Sequence, residues 1–156
     1  MTLLQIHVAL SLIGIVSGLV VFYGLLTSKA LGVWTALFLA TTILTSITGF
    51  PLAPFGFDPP RAVGLTSLVL LAIAIVALYA FGLRGAWRWI YAVTAIAALY
   101  LDVFVGVFQA FLKVPSLHDL APTQSEPPFA IAQGVVLLIF VGLGILAVRR
   151  FHPAAT

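Results

Sequence analysis

The chain has no cysteine and very few charged side chains. Without thiols it cannot form a disulfide, a thiolate metal site, an iron–sulfur cluster or a cysteine nucleophile. Of its 156 residues, 7 are Lys or Arg and 4 are Asp or Glu, whereas roughly a quarter of a soluble domain is charged. So few charges can neither solvate a globule of this size nor build a nucleic-acid-binding face. Because 63% of the residues are apolar, the composition predicts an integral membrane protein with no nucleic-acid partner.

Proline is missing from five long apolar segments, since all nine prolines lie outside them. Each segment is close to the ~20 residues with which a helix crosses the hydrocarbon core. The segments lack the polar alternation of an outer-membrane barrel, and a lipid-exposed strand would leave backbone groups unsatisfied. The sequence therefore predicts one all-α transmembrane domain, residues 1–156, that forms a five-helix bundle. Its predicted spans are about 3–26, 31–50, 62–82, 87–112 and 129–148.

The basic residues are distributed unevenly between the two ends of these spans. The first and third connections and the C-terminus hold five cations, and the second and fourth connections hold two. By the positive-inside rule, this split predicts an external N-terminus and a cytoplasmic C-terminus. The cations on the predicted cytoplasmic side are Lys29, Arg84, Arg88, Arg149 and Arg150. Those on the predicted outer side are Arg61 and Lys113.

Asp102 lies near the middle of the fourth span, where a carboxylate costs about 2.5 to 3.5 kcal/mol on insertion scales. It is either neutral and hydrogen-bonded, for example to a hydroxyl of the second helix, or ionised in a wet cavity. Helical spacing places Asp102, Gly106, Gln109 and Lys113 on one stripe, although Lys113 is some 16 Å from Asp102, too far for an ion pair.

This stripe predicts a polar seam that opens outward and binds a ligand. Its candidate ligand-binding residues are Asp102, Gln109, His7, Thr45 and Thr48. The alternative is that these side chains only join helices, Gln109 by a hydrogen bond to a neighbour.

Histidines offer a second candidate chemistry. His7 and His118 fall on the same predicted side, and Glu126 or Asp119 could complete a metal site with them. A bis-histidine haem inside the membrane needs two histidines within spans, and only His7 qualifies. Because no short ligand spacing is present, a hydrogen-bonded structural histidine is the favoured interpretation of His7.

The loop acids have structural explanations. Asp58 precedes two prolines as an N-cap precedes a first helical turn. Ser116 and Asp119 have the spacing of a capping box, and Glu126 stands where a carboxylate complements the dipole of the fifth span.

Gly14 and Gly18 form a G-x-x-x-G motif in the first span, with Ser11 on the same face. Helix packing within the chain is the favoured interpretation, ahead of dimerisation. No metalloprotease, nucleophile-elbow, dinucleotide or P-loop motif is present, so the sequence favours a protein that is not an enzyme.

Three segments carry a resemblance: QIHVALS at 5–11, GAWRWIY at 85–91 and LAPTQSEPPF at 120–129. With them the chain resembles a family of small bacterial polytopic inner-membrane proteins to which no activity is attached. The resemblance implies a multi-pass inner-membrane location, and it implies hydrogen bonding at Asp102, where relatives tend to have Asn. A weaker likeness to four-helix cytochrome b-like proteins, a histidine followed by spaced glycines, is not adopted because further in-span histidines are missing.

These observations predict a non-enzymatic bundle whose seam binds a small ligand or ion, or docks a partner membrane protein. One alternative is a membrane redox or metal-binding protein that holds haem or a metal through His7 and His118. Another is a subunit of an oligomeric transporter, since five spans do not divide into two equal repeats. The expected partners are the lipid bilayer and either further copies of the chain or another membrane protein.

Overall fold

The computed structural model describes residues 1–52 and 56–154, and within these ranges it contains helices and no strand. Five helices are long: α1 (Leu3–Leu26), α2 (Gly32–Gly49), α3 (Pro59–Ile75), α4 (Trp87–Lys113) and α6 (Pro127–Arg150). A short helix, α5 (Pro115–Leu120), lies between α4 and α6, and α3 continues as a π-helical turn (Val76–Ala80). The chain is thus all-helical, with five helices long and apolar enough to cross a membrane.

The helix bounds lie close to the predicted spans, and two of the differences come from proline. Helices α3 and α6 begin at Pro59 and Pro127, earlier than predicted. A first-turn proline loses no intrahelical hydrogen bond, and its fixed φ suits the helix. Prolines that delimit an apolar segment can therefore still belong to its helix.

The helix caps confirm one prediction and overturn another. Asp58 is the N-cap of α3, and its carboxylate accepts from the Arg61 backbone N–H at 3.2 Å. Desolvation opposes ionisation of Asp58, but hydrogen bonds from the Arg61 N–H and guanidinium outweigh it and hold the pKa of this carboxyl below its usual value. The predicted capping box of Ser116 and Asp119 is wrong, because the N-cap of α5 is Val114, two residues before Ser116, and the helix has no side-chain cap.

Glu126, predicted to complement the dipole of the fifth span, is the N-cap residue of α6 but does not cap that helix with its side chain. Its carboxylate accepts instead from the backbone N–H groups of Thr123, at 3.2 Å, and Ser125, at 3.1 Å. Prolines at the first two helical positions remove N–H groups that Glu126 would otherwise cap. A real capping box that the sequence analysis missed joins Thr2 and Gln5 at the start of α1.

Two glycines let α1 pack closely against α2 and α4. A Cβ on Gly18 would lie 2.5 Å from Leu99 Cδ1 and 2.9 Å from the Phe38 ring. Gly14 faces Thr42 and Asp102 in the same way. The prediction that the G-x-x-x-G motif serves packing within the chain is therefore confirmed.

The two ends of the bundle are held by two arginines. At the end that carries the α1–α2 connection, called here the Lys29 end, Arg88 donates to the carbonyls of Phe151 at 2.6 Å and Val148 at 3.2 Å. At the opposite end, called the His7 end, the Arg61 guanidinium pairs with Asp58 at 2.7 Å and also donates to backbone carbonyls, including that of Phe50. Arg61 is only 8% exposed, so its charge is balanced inside the protein.

Candidate functional site

Asp102 contacts the second helix through one hydrogen bond. The Thr42 hydroxyl donates to Asp102 Oδ2 over 3.0 Å. Thr42 is fully buried, and it differs from Thr41 and Thr45, whose hydroxyls donate to backbone carbonyls four residues earlier. Because the Thr42 proton points to Asp102, the structure agrees with the expectation that Asp102 meets a hydroxyl of the second helix.

The backbone of α1 lies over this pair at Gly14. A Cβ at that position would approach Thr42 Oγ1 to 3.1 Å and Asp102 Oδ2 to 3.5 Å. Asp102 is therefore placed where three helices meet. We call this place the α1–α2–α4 junction and define it by Gly14, Thr42 and Asp102.

The Thr42 hydrogen bond does not exhaust the capacity of Asp102. One interhelical bond in a membrane contributes about 0.6 to 2 kcal/mol, less than the ~2.5 to 3.5 kcal/mol that a mid-span carboxylate costs. The second oxygen, Oδ1, accepts no hydrogen bond from the described residues and is not among the buried atoms that lack a partner. It is therefore accessible and available to a further donor or cation.

His7 is half-buried and oriented from α2. Its Nδ1 lies 3.0 Å from Thr48 Oγ1, and the Thr48 hydroxyl itself donates to the Leu44 carbonyl at 2.7 Å. A hydroxyl has one proton to donate, so His7 Nδ1 is the donor in the pair. Gly49 lies against the ring, since its Cβ would be 3.2 Å from His7 Cε1.

The rise per residue of a helix gives the distance of His7 and Gln109 from the junction along the helix axes. His7 precedes Gly14 by seven residues on α1, and Gln109 follows Asp102 by seven on the antiparallel α4. Both are therefore displaced by about 10 Å toward the His7 end. His7, Thr48 and Gln109 therefore lie nearer the His7 end than Asp102 does, and Thr45 lies between these levels on α2.

Two of the predicted seam residues make other contacts than expected. Thr45 is buried and donates to the Thr41 carbonyl at 2.8 Å rather than to Asp102. Gln109 is half-buried and makes no hydrogen bond within residues 1–52 and 56–154, so its expected bond to a neighbouring helix is not seen. Lys113 is exposed, and the single ion pair in the described part of the chain is Arg61–Asp58, which agrees with the expected separation of Lys113 from Asp102.

Gln133 is a buried polar side chain that the sequence analysis missed. Its Nε2 donates to the Phe104 carbonyl at 3.0 Å and so joins α6 to α4, while its Oε1 is buried without a partner among the described residues. The sequence contains a signal for it, namely a glutamine within an apolar span. Such an amide needs a hydrogen-bond partner at position 133 as much as at position 109.

The metal alternative gains no geometric support. Among the residues that the structure describes, no three His, Asp or Glu side chains come together as a group that could hold a metal ion. His118 lies on α5 with its Nδ1 buried and unpaired, and His152 follows α6 at the Lys29 end, where its backbone N–H donates to Ser28. A site built from His7, His118 and Glu126 stays a prediction.

Comparison with known proteins does not assign the chain to a family. No family model matches the chain, and neither curated proteins nor solved structures give a significant match to it. The resemblance to small bacterial inner-membrane proteins therefore stays a prediction, and the function has to be argued from the site itself.

Proposed function

We propose that this protein is a non-enzymatic membrane bundle that binds a small cation or hydrogen-bond-donating ligand at the α1–α2–α4 junction. Asp102 is the anchoring residue. The observation that carries the proposal is the accessible Asp102 Oδ1, beside an Oδ2 that takes a single hydrogen bond, in the middle of a helix long and apolar enough to cross a membrane.

The groups around the junction favour a ligand that donates or is positively charged. Asp102 Oδ1 accepts no hydrogen bond from the described residues, and no basic side chain pairs with Asp102 there. Ionisable side chains inside spans commonly mark ion or ligand pathways. In the proposal, His7, Thr48 and Gln109 form the entrance and Thr45 lines the way to Asp102.

We expect a bound cation to stabilise the purified protein in detergent. Thermal unfolding would be followed at constant ionic strength with Na⁺, K⁺ or methylammonium in place of the bulky cation N-methylglucamine. A probe at 100 times its Kd raises the free energy of unfolding by about 2.7 kcal/mol. Asp102→Asn should abolish that rise, because the amide lacks the charge.

The matched control is Asp119→Asn, which removes an exposed carboxylate of the short helix α5 at the same end. It should leave the cation-dependent rise intact. The proposal fails if none of the three probes stabilises the wild-type protein more than N-methylglucamine does, or if Asp102→Asn retains the rise.

We also propose that the protein is a multi-pass protein of the bacterial inner membrane with the His7 end outside. The charges support this orientation, because all five cations of the Lys29 end lack a neighbouring acid in the sequence, while Arg61 at the His7 end is paired.

Reporter labelling tests the orientation cleanly because the chain has no native cysteine. A cysteine in place of Ser116 should react with an impermeant maleimide from the periplasm, and alkaline phosphatase fused after Arg150 should be inactive. Active phosphatase at that position, or labelling of position 116 only after the cells are opened, would reverse the assignment.

A further inference from the structure

A cavity of about 160 Å³ lies at the Lys29 end, where α1, α2, the π-helical turn and α4 meet. Most of its lining is apolar, and Phe151, which follows α6, closes one side. Four of its lining side chains carry polar atoms: Lys29, Thr35, Tyr79 and Tyr91. This cavity is at the opposite end of the bundle from His7 and is separate from the α1–α2–α4 junction.

Two of the lining hydroxyls are buried and face each other. Thr35 is 5% exposed and Tyr91 is 3% exposed, and the Thr35 hydroxyl interacts with the Tyr91 hydroxyl. Neither hydroxyl bonds to a backbone carbonyl of the described residues. Because both line the cavity, an acceptor bound there can take the protons of this pair.

The Thr35 hydroxyl differs from that of Thr94 in α4. Thr94 donates its hydroxyl to the carbonyl four residues earlier, at 2.7 Å. The corresponding Leu31 carbonyl accepts the Thr35 backbone N–H at 2.8 Å, and the Thr35 hydroxyl instead interacts with Tyr91 at the cavity. Its proton is therefore directed to a group at the cavity rather than to its own helix.

Lys29 supplies charge at the rim of the cavity. Its side chain is exposed, while its backbone N–H is fixed by the Gly24 carbonyl at 2.7 Å. None of the four acidic residues of the sequence lies at this end of the bundle. The cavity is therefore lined by a lysine and two hydroxyls without a competing carboxylate, which is a donor set suited to an oxyanion.

The wall opposite α2 comes from the π-helical turn. Leu78 and Tyr79 of this turn line the cavity. Single π-helical turns within α-helices are frequently found at functional sites, because the wider turn changes the direction of the side chains. The irregularity in α3 thus lies at the same cavity as the Thr35 and Tyr91 hydroxyls.

We propose that this cavity binds a phosphate ester. Lys29 Nζ, Thr35 Oγ1 and Tyr91 Oη donate to the phosphate oxygens, and the apolar lining receives the carbon atoms next to the phosphate. The same chemistry is offered by the headgroup of a membrane phospholipid and by a small free phosphate monoester.

Binding to the purified protein distinguishes these two sources. Native mass spectrometry would measure retention of dioleoylphosphatidylglycerol against dioleoylphosphatidylcholine, and thermal unfolding would be measured with glycerol 3-phosphate. Preferential retention of phosphatidylglycerol assigns the site to an anionic lipid, whereas stabilisation by glycerol 3-phosphate assigns it to a free ester. The proposal is wrong if the wild-type protein shows neither.

The variants test whether the binding is at this cavity. The pair Thr35→Val and Tyr91→Phe removes two oxygens with little change of shape and should weaken retention of the bound probe on the order of tenfold or more. Lys29→Gln should do the same. The controls Thr66→Val, Tyr23→Phe and Arg150→Gln change exposed residues that do not line the cavity, and they should bind as the wild-type protein does. Equal binding by the cavity variants and the wild type, or equal loss in the controls, would overturn the assignment.

Discussion

Gly18→Ala should destabilise the bundle substantially, although alanine is the better helix former. The added methyl would lie 2.5 Å from Leu99 Cδ1 and 2.9 Å from the Phe38 ring, closer than carbon atoms approach without displacement. Both neighbours are almost completely buried, so neither can move into solvent. Overpacking a well-filled core of this kind typically costs about 1 to 3 kcal/mol.

Gly142→Ala is the matched control for this substitution. Gly142 is also within a long helix, α6, but its added Cβ would meet no atom within 4 Å. It should therefore report only the gain in helix propensity, up to about 1 kcal/mol. The two variants would be compared by unfolding in detergent, and the difference between them isolates the steric cost. If both variants had the same stability, the close approach of α1 to α2 and α4 would be wrong.

The five long helices could be predicted from the sequence because the bilayer leaves few alternatives. A segment of about 20 apolar residues without proline has to satisfy its backbone internally, and a helix does so without a partner. Glycine spacing predicted the packing face of α1 for a similar reason, since Gly14 and Gly18 recur on one side of the helix. These features depend on local sequence alone.

The partners of individual side chains could not be predicted in this way. Several hydroxyls of α2 were available to Asp102, and the choice of Thr42 depends on the rotation of α2 against α4, which is set by the packing on α1. The bonds from Arg88 to the Phe151 and Val148 carbonyls had no signal in the sequence, because every residue offers a carbonyl. The cavity at the Lys29 end likewise depends on the π-helical turn, which no pattern in the sequence indicated.

Asp102→Leu should be strongly destabilising, whereas Asp102→Asn should be nearly as stable as the wild-type protein. Asparagine retains an oxygen that accepts from the Thr42 hydroxyl, while leucine leaves this fully buried hydroxyl without its partner. Leaving a buried polar group unsatisfied costs about 1 to 3 kcal/mol. Thermal unfolding in detergent should therefore rank Asp and Asn together and well above Leu.

A double-mutant cycle assigns this loss to the Asp102–Thr42 contact. In the Asp102→Leu protein, Thr42→Val should cost less than it does in the wild type, because the hydroxyl no longer has a partner to lose. The expected coupling is about 0.6 to 2 kcal/mol. Thr45→Val is the control, since the Thr45 hydroxyl bonds to the Thr41 carbonyl and should show no coupling to Asp102.

The stability series and the cation experiment separate a structural role of Asp102 from a binding role. If Asp102 only joined α4 to α2, Asp102→Asn would preserve stability. The cations would then change the thermal stability of the Asn protein and of the wild type equally. If Asp102 also binds a ligand through its accessible Oδ1, Asp102→Asn preserves stability but loses the cation-dependent rise. Equal stability of the Asp, Asn and Leu proteins would contradict both roles, because it would mean that the side chain has no buried partner at the α1–α2–α4 junction.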